Sequence, residues 1–141
     1  MNNFGLVVIG AHSGVWLSSL LDEHKDKNIL LVEPVPYNIN LLKENTTKYK
    51  NITIETSAVS EKNEIKKFYY VKHDAVKKLG KHWASGIGSF DKQHILNHKY
   101  KRFMVTDIDI EEIDVQYLTF SNLMEKYSVS SIDLLQIDVE G

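Results

Sequence analysis

Leu6-Val-Val-Ile-Gly-Ala-His-Ser-Gly14, followed by Ile29-Leu-Leu-Val-Glu-Pro34, decides how this chain folds. An apolar run ends in a turn of small residues, a helix-like stretch follows, and a second apolar run ends in an acid. This order reads as a strand, a tight loop, a helix and a second strand with a carboxylate at its tip. A sharp turn of small residues lets a ligand approach backbone N–H groups at a helix N-terminus, and the acid can accept hydrogen bonds from ribose hydroxyls. The unit reads as the first half of a nucleotide-cofactor site. Glu33 lies 19 residues after Gly14, close to the spacing of about 20 residues at which ribose-binding acids occur.

Working outward, residues 4–9 form a short, nearly all-apolar buried strand. Residues 14–24 read as a helix with Val15, Leu17, Leu20 and Leu21 on or near one face. Residues 29–32 are a second buried strand. Pro34 and Pro36 disfavour helix at Glu33 and Val35, and a helix is expected from about 37 to 48, with Ile39, Leu41 and Leu42 inward. Residues 51–59 alternate as a third strand through Ile52 and Ile54. A turn at 61–63 leads to a fourth strand at 64–71. Residues 73–100 read as a long loop with a short helix near 92–99, and long loops in compact domains are usually functional or mobile. Residues 113–119 read as a strand, and Ser121 as the N-cap of a helix at 122–127. Residues 131–139 close the chain as an apolar strand.

Strands alternating with helices imply a mainly parallel sheet with right-handed crossovers. The last strand reads as buried on both faces and therefore central, yet nothing follows to pair with its free edge. An exposed apolar edge is a dimerisation site. The expectation is a single domain over residues 1–141, a cofactor-binding half with later strands missing, and a homodimer through the exposed sheet edge.

Composition bounds the function classes. Among 141 residues, 43% are hydrophobic and 26% charged, as in ordinary globular proteins. A formal charge of -2 with dispersed lysines leaves no basic footprint for nucleic acid. The absence of cysteine excludes disulfides and thiolate metal sites and fits a reducing, cytoplasmic compartment. No apolar run approaches the ~20 residues of a membrane span. Residues 6–21 lack a basic flank and are interrupted by Gly10, His12 and Gly14, unlike a signal peptide.

Asp138 ends another inner strand, and ligands of open α/β sheets bind at the carboxyl ends of strands. Three strand ends thus deliver Gly10, Glu33 and Asp138 to one crevice. Each element has a plainer reading beside it: a strand-to-helix turn that needs small residues, a solvated strand-end acid, and, for Asp138 and Glu140, a polar terminus. His94 and His98, spaced i and i+4, could share a helix face, but two ligands without a third acid at set spacing make a weak metal signal. Trp16, Trp83 and the tyrosines read as core or loop-packing residues.

Four segments in order, VIGAHSG, LVEPVPYNINLLKEN, NITIETSAVSEKNEIKKFYY and SSIDLLQIDVEG, resemble the FkbM family of S-adenosylmethionine-dependent methyltransferases, over about residues 7–141. The resemblance implies a Rossmann-like class I methyltransferase fold, truncated at the C-terminal side, and O-methylation of a sugar or secondary-metabolite hydroxyl on a small-molecule or glycan acceptor. By the same resemblance Gly10, Ala11, His12 and Gly14 line the methionine end of the cofactor. Glu33 binds the ribose hydroxyls, Pro34 shapes the turn, and Ser57 and Ala58 sit near the adenine. Asp138 lies close to methyl donor and acceptor and is the leading catalytic group, with His12 a second candidate base. Residues 85–89 form part of a lid or acceptor wall.

Departures from the family pattern carry their own expectations. Val8 stands where an acid usually helps hold the cofactor's amino group, which predicts weaker binding. His12 stands where Asn is common, Gln136 where Lys is usual, and Ser121 where Asp usually opens the helix. Two further classes remain. A nicotinamide-dependent oxidoreductase is disfavoured, because the turn lacks the second and third glycines of the dinucleotide fingerprint. A non-catalytic module that binds a partner through the open sheet edge is favoured by Val8 and by the missing second half.

Overall fold

The structure, a computed structural model, describes residues 2–74, 88–89, 92, 99–100, 103–104 and 110–139. In chain order the elements are β1 (Asn2–Ile9), a 3-10 turn (Val15–Leu17), α1 (Ser18–His24), β2 (Asn28–Val32), α2 (Pro36–Asn45), β3 (Ile52–Glu55), β4 (Ala58–Val59), β5 (Glu64–Val71), β6 (Gly88–Ser89), β7 (Lys99–Tyr100), β8 (Phe103–Met104), β9 (Ile110–Leu118), α3 (Phe120–Lys126) and β10 (Val129–Ile137). They group into two compact units, Met1–Glu64 with Gln116–Asp138, and Ile65–Val115 with Val139–Gly141.

The first unit holds a four-stranded sheet in the order β10-β1-β2-β3, parallel throughout. The strands are rich in Val, Ile and Leu, as parallel strands covered on both faces must be. Successive side chains of β1 and β2 point to opposite faces. Leu6, Val8, Ile29 and Leu31 meet Leu17, Leu21 and Leu42 on one face. Val7, Ile9, Leu30 and Val32 join Leu123 of α3 on the other. Helices therefore cover both faces, as expected from the alternation of strands and helices. Full burial of each such side chain contributes about 1.5–3 kcal/mol.

The register of β1 against β2 shifts at Gly5, with Phe4 opposite Asn28 and Leu6 opposite Ile29. A one-residue slip exchanges the faces of a strand, so Phe4 joins Val7 and Ile9 on the α3 side. The sequence pattern gave no warning of this.

Several boundaries differ from the sequence reading. The helix expected at 14–24 begins as a 3-10 turn, because Gly14 is left-handed with φ 81°. This rotates Val15 and Trp16 outward, and they are 69% and 42% exposed. Val15 is thus not on the inward face, and Trp16 is not a core residue. Helix α2 starts at Pro36, whose fixed φ suits a first helical position. It ends at Asn45 rather than 48, where the Thr46 hydroxyl turns back to the Leu42 carbonyl at 2.7 Å. Leu42 is buried but Leu41 is exposed. The strand expected over 51–59 is two strands, broken at Thr56 and Ser57. The cap of α3 is Thr119, whose hydroxyl accepts from the Asn122 N–H at 3.1 Å, and Ser121 lies inside the helix. Strand β9 begins at Ile110, three residues earlier than expected.

Strand β10 leaves open the apolar edge that the sequence reading expected to find unpaired in this chain. Among the described residues it is the outer strand of its sheet and pairs only with β1. Leu134, Leu135 and Ile137 are exposed rather than buried on both faces. In the same unit β4 pairs in parallel with the end of β9, Ala58 opposite Tyr117 and Val59 opposite Leu118.

In the second unit β5 lies between β9 and β6. It pairs antiparallel with β6 through Tyr69–Ser89 and Tyr70–Gly88. Phe68, Tyr70, Val71, Ile110 and Val115 are buried there, and Lys67 pairs with Asp114 at 3.0 Å. Strands β7 and β8 pair antiparallel, Lys99 opposite Met104 and Tyr100 opposite Phe103. The helix expected near 92–99 falls largely outside the described residues, and Lys99 belongs to β7. Trp83, His94, His98 and residues 85–87 also lie outside them. No helix among the described residues is long and apolar enough to cross a membrane.

Gly14 is fixed by two constraints at once. Its φ is left-handed, and a Cβ there would stand 2.6 Å from Cδ1 of Leu42. Gly14→Ala is expected to lower the unfolding free energy by about 1–3 kcal/mol, the cost of a left-handed L-residue plus displacement of Leu42. Urea denaturation followed by circular dichroism measures this, and an unchanged midpoint would refute the packing described.

Candidate functional site

Because β1, β2 and β10 run parallel, their carboxyl ends lie at one edge of the sheet, and each is followed by a polar or small residue. The turn after β1 is tied first to β2. The N–H groups of Gly10 and Ala11 both donate to the Val32 carbonyl, at 2.9 and 3.0 Å. Gly10 has φ 87°, His12 φ 52° and Gly14 φ 81°. Glycine adopts such angles freely, and histidine is among the few other residues found there. The carbonyl of Ser13 accepts from the Asn45 side chain of α2 at 2.8 Å. Asp138 is set beside the end of β1 by its own N–H, which donates to the Ile9 carbonyl at 2.8 Å.

Glu33 is 2% exposed, and its carboxylate joins the two turns. Oε1 accepts from the His12 N–H at 2.9 Å and Oε2 from the Val35 N–H at 3.0 Å. The Asn38 side chain adds a further hydrogen bond from the first turn of α2. Burial pushes the Glu33 carboxyl above its ordinary value, and the nearby His12 ring with the donors from Val35, His12 and Asn38 offsets only part of that rise.

The imidazole of His12 lies between two acids. Nδ1 is 3.6 Å from Oε1 of Glu33, and Nε2 is 3.6 Å from Oδ2 of Asp138. The ring is 18% exposed, whereas Asp138 is 60% exposed. The indole of Trp16 stands beside it, ring centres 6.5 Å apart and tilted by 48°. The structure thus brings together Gly10, Ala11, His12, Gly14, Glu33 and Asp138, with Pro34 between Glu33 and Val35, whose N–H donates to the Glu33 carboxylate.

Ser57 and Ala58 are placed differently. Ser57 is buried and its hydroxyl donates to Oε2 of Glu55 at 2.5 Å, so that group is already committed. Ala58 opens β4 opposite Tyr117. The link from Ser57 to the acid pair runs through Glu55, whose carbonyl accepts from the Glu33 N–H at 3.0 Å.

Glu55 is a buried acid that sequence reasoning missed. It ends β3 as Glu33 follows β2, and that parallel was the one available signal. Oε1 accepts from Tyr127 and pairs with Lys126 at 2.8 Å. Burial alone would raise this carboxyl, but hydrogen bonds from Lys126, Ser57 and Tyr127, with the Lys126 charge, hold it below the ordinary range. Burial and the Glu55 carboxylate push the Tyr127 phenol upward. Asn38 was missed as well, since only the fold turns it toward Glu33. Among the described residues no group of three or more His, Cys, Asp or Glu is arranged to hold a metal ion.

A family model described as the methyltransferase FkbM domain matches residues 9–141. The chain belongs to the FkbM methyltransferase family. The match covers every strand-end residue of the site, from Gly10 to Asp138. Comparison with curated proteins and with solved structures gives no match.

The Glu55 cluster generates a pH-dependent prediction. Its folded pKa is depressed, so its stabilisation is present above the unfolded value and is lost as pH falls through the folded one. Glu55→Gln is therefore expected to be less stable than the parent at pH 7, with the gap closing as pH falls below the ordinary carboxylate range. Urea midpoints at several pH values report it, and a gap that is constant with pH would contradict the assignment.

Proposed function

We propose that this chain binds S-adenosylmethionine where β1, β2 and β10 end, and moves its methyl group to a hydroxyl oxygen of a small-molecule or glycan acceptor. The accompanying reading of the fold is a Rossmann-like class I methyltransferase. The observation that carries the proposal is the convergence of the 10–14 turn, Glu33 and Asp138, with His12 within 3.6 Å of both acids, in a chain of the FkbM family.

The donor set suits the cofactor's chemistry. Two carboxylates face a ligand of net positive charge, and left-handed glycines at 10 and 14 leave the turn without a Cβ at those points. Asp138 is open to a ligand, while Glu33 has to exchange its His12 contact for ribose hydroxyls. Val8 is fully buried in the apolar core under α1 and α2, so this strand brings no charge to the cofactor's amino group.

When bound, the cofactor supplies a methyl group on a sulfonium, poised for in-line displacement. Glu33 would hold the ribose hydroxyls, with Pro34 shaping the turn. Gly10, Ala11, His12 and Gly14 would line the methionine end, and Ser57 and Ala58 the adenine end. Asp138 would orient the acceptor hydroxyl and take its proton at a carboxylate oxygen. Positioning and exclusion of water supply most of the rate in such a displacement, and a base adds about 10²–10⁴-fold. A dinucleotide suits the turn less well, since His12 and Val15 stand where its fingerprint needs glycines.

Calorimetry with S-adenosylmethionine and S-adenosylhomocysteine tests the reading, with NAD as the control ligand. Binding of both sulfur ligands and none of NAD is expected. Glu33→Ala should weaken binding about 10- to 100-fold, the worth of hydrogen bonds to a charged group. No binding at millimolar cofactor would remove the proposal.

A further inference from the structure

We infer that the His12 side chain is a gate: its ring fills the approach to Glu33, so a ligand reaches that carboxylate only after the ring has turned aside. The gate presupposes that the site takes S-adenosylmethionine, as proposed above, and gives that site a closed state.

Three side chains stand in series. Asp138 at the rim is 60% exposed, the His12 ring is 18% exposed, and Glu33 behind it is 2% exposed. The ring nitrogens face opposite ways, Nδ1 3.6 Å from Oε1 of Glu33 and Nε2 3.6 Å from Oδ2 of Asp138. The imidazole therefore occupies the space between the two carboxylates. Behind the ring, Glu33 is met by its own turn and by α2. Oε2 accepts the Val35 N–H at 3.0 Å, and the Asn38 side chain adds a donor.

The hinge and the moving part are held differently. The His12 N–H donates to Oε1 of Glu33 at 2.9 Å, and the residue is left-handed at φ 52°, so the backbone is pinned. At 3.6 Å neither ring contact is a hydrogen bond. The ring can thus rotate about its side-chain bonds without breaking one. Opening leaves Glu33 its backbone donors and clears the side of Oε1 that the ring covers. A carboxylate oxygen accepts more than one hydrogen bond, so ribose hydroxyls can be added to the donors already there.

The arrangement described is the closed one, which makes the open form the minor conformer. Minor conformers of this kind are populated at about 0.1–10%, and apparent affinity falls in proportion to the competent fraction. Side-chain rotation is fast beside ligand encounter. The gate therefore lowers the second-order association rate constant by the open fraction.

Stopped-flow mixing of the full chain with S-adenosylhomocysteine tests this, because that ligand has no charge on sulfur and reads access alone. The signal is the fluorescence of Trp16, whose indole centre lies 6.5 Å from that of the imidazole. Trp83→Phe removes the second tryptophan of the sequence and is the background for every protein compared. His12→Gly and His12→Asn both remove the ring and both suit a left-handed backbone. In each, the association rate constant is expected to rise about tenfold or more over the His12 protein. A ring that only lined the bound ligand would leave association unchanged and speed dissociation. Association unchanged or slower in either variant with the parental circular dichroism spectrum would overturn the gate and leave the cofactor reading standing. Absence of binding to every protein, checked by calorimetry at millimolar ligand, would overturn the cofactor reading and the gate with it.

Discussion

The buried carboxylate of Glu33 is the constraint on which the strand-end region depends. One side chain accepts from the backbone of the turn after β1, from the backbone of its own turn and from Asn38 of α2. Moving an ionised carboxylate out of water is costly unless donors replace its hydration. The chain meets that cost by ordering two turns around it. Once the 10–14 turn is fixed, Gly14 sits against Leu42, the 3-10 turn begins, and α1 is aimed across the sheet. A local electrostatic need thus sets the path of about thirty residues, from the end of β1 to the first turn of α2.

Glu55 occupies the corresponding place at the end of β3 and shows what neighbours do to an acid. Both carboxylates are buried, but Glu33 is answered mostly by neutral amide donors, whereas Glu55 has a lysine and two hydroxyls. The first is displaced upward and the second downward. A net dipole from amides offsets less of the desolvation than a full positive charge does. One acid orders two turns around neutral donors, while the other ties α3 to the sheet.

The sequence made the parallel core and the acid-tipped strands legible because both depend on short-range pattern. Strands of β-branched and aliphatic residues, small residues at a turn and an acid some twenty positions on are visible without tertiary contacts. The face of Val15 was not, since it depends on Gly14 turning left-handed before the helix starts. The α3 cap moved from Ser121 to Thr119, as two hydroxyl residues two positions apart offer the same capping chemistry. The cluster of Glu55 with Tyr127 joins positions 72 residues apart, which no local pattern encodes.

The left-handed backbone at His12 has a consequence for how this position can vary over evolutionary time. Residues branched at Cβ are strained at such a φ, and the tolerated set narrows to glycine, asparagine, aspartate and histidine. Histidine and asparagine codons differ by a single first-position base. A switch between an ionisable and a neutral occupant is therefore one nucleotide away, and the backbone screens out most other replacements before function is consulted.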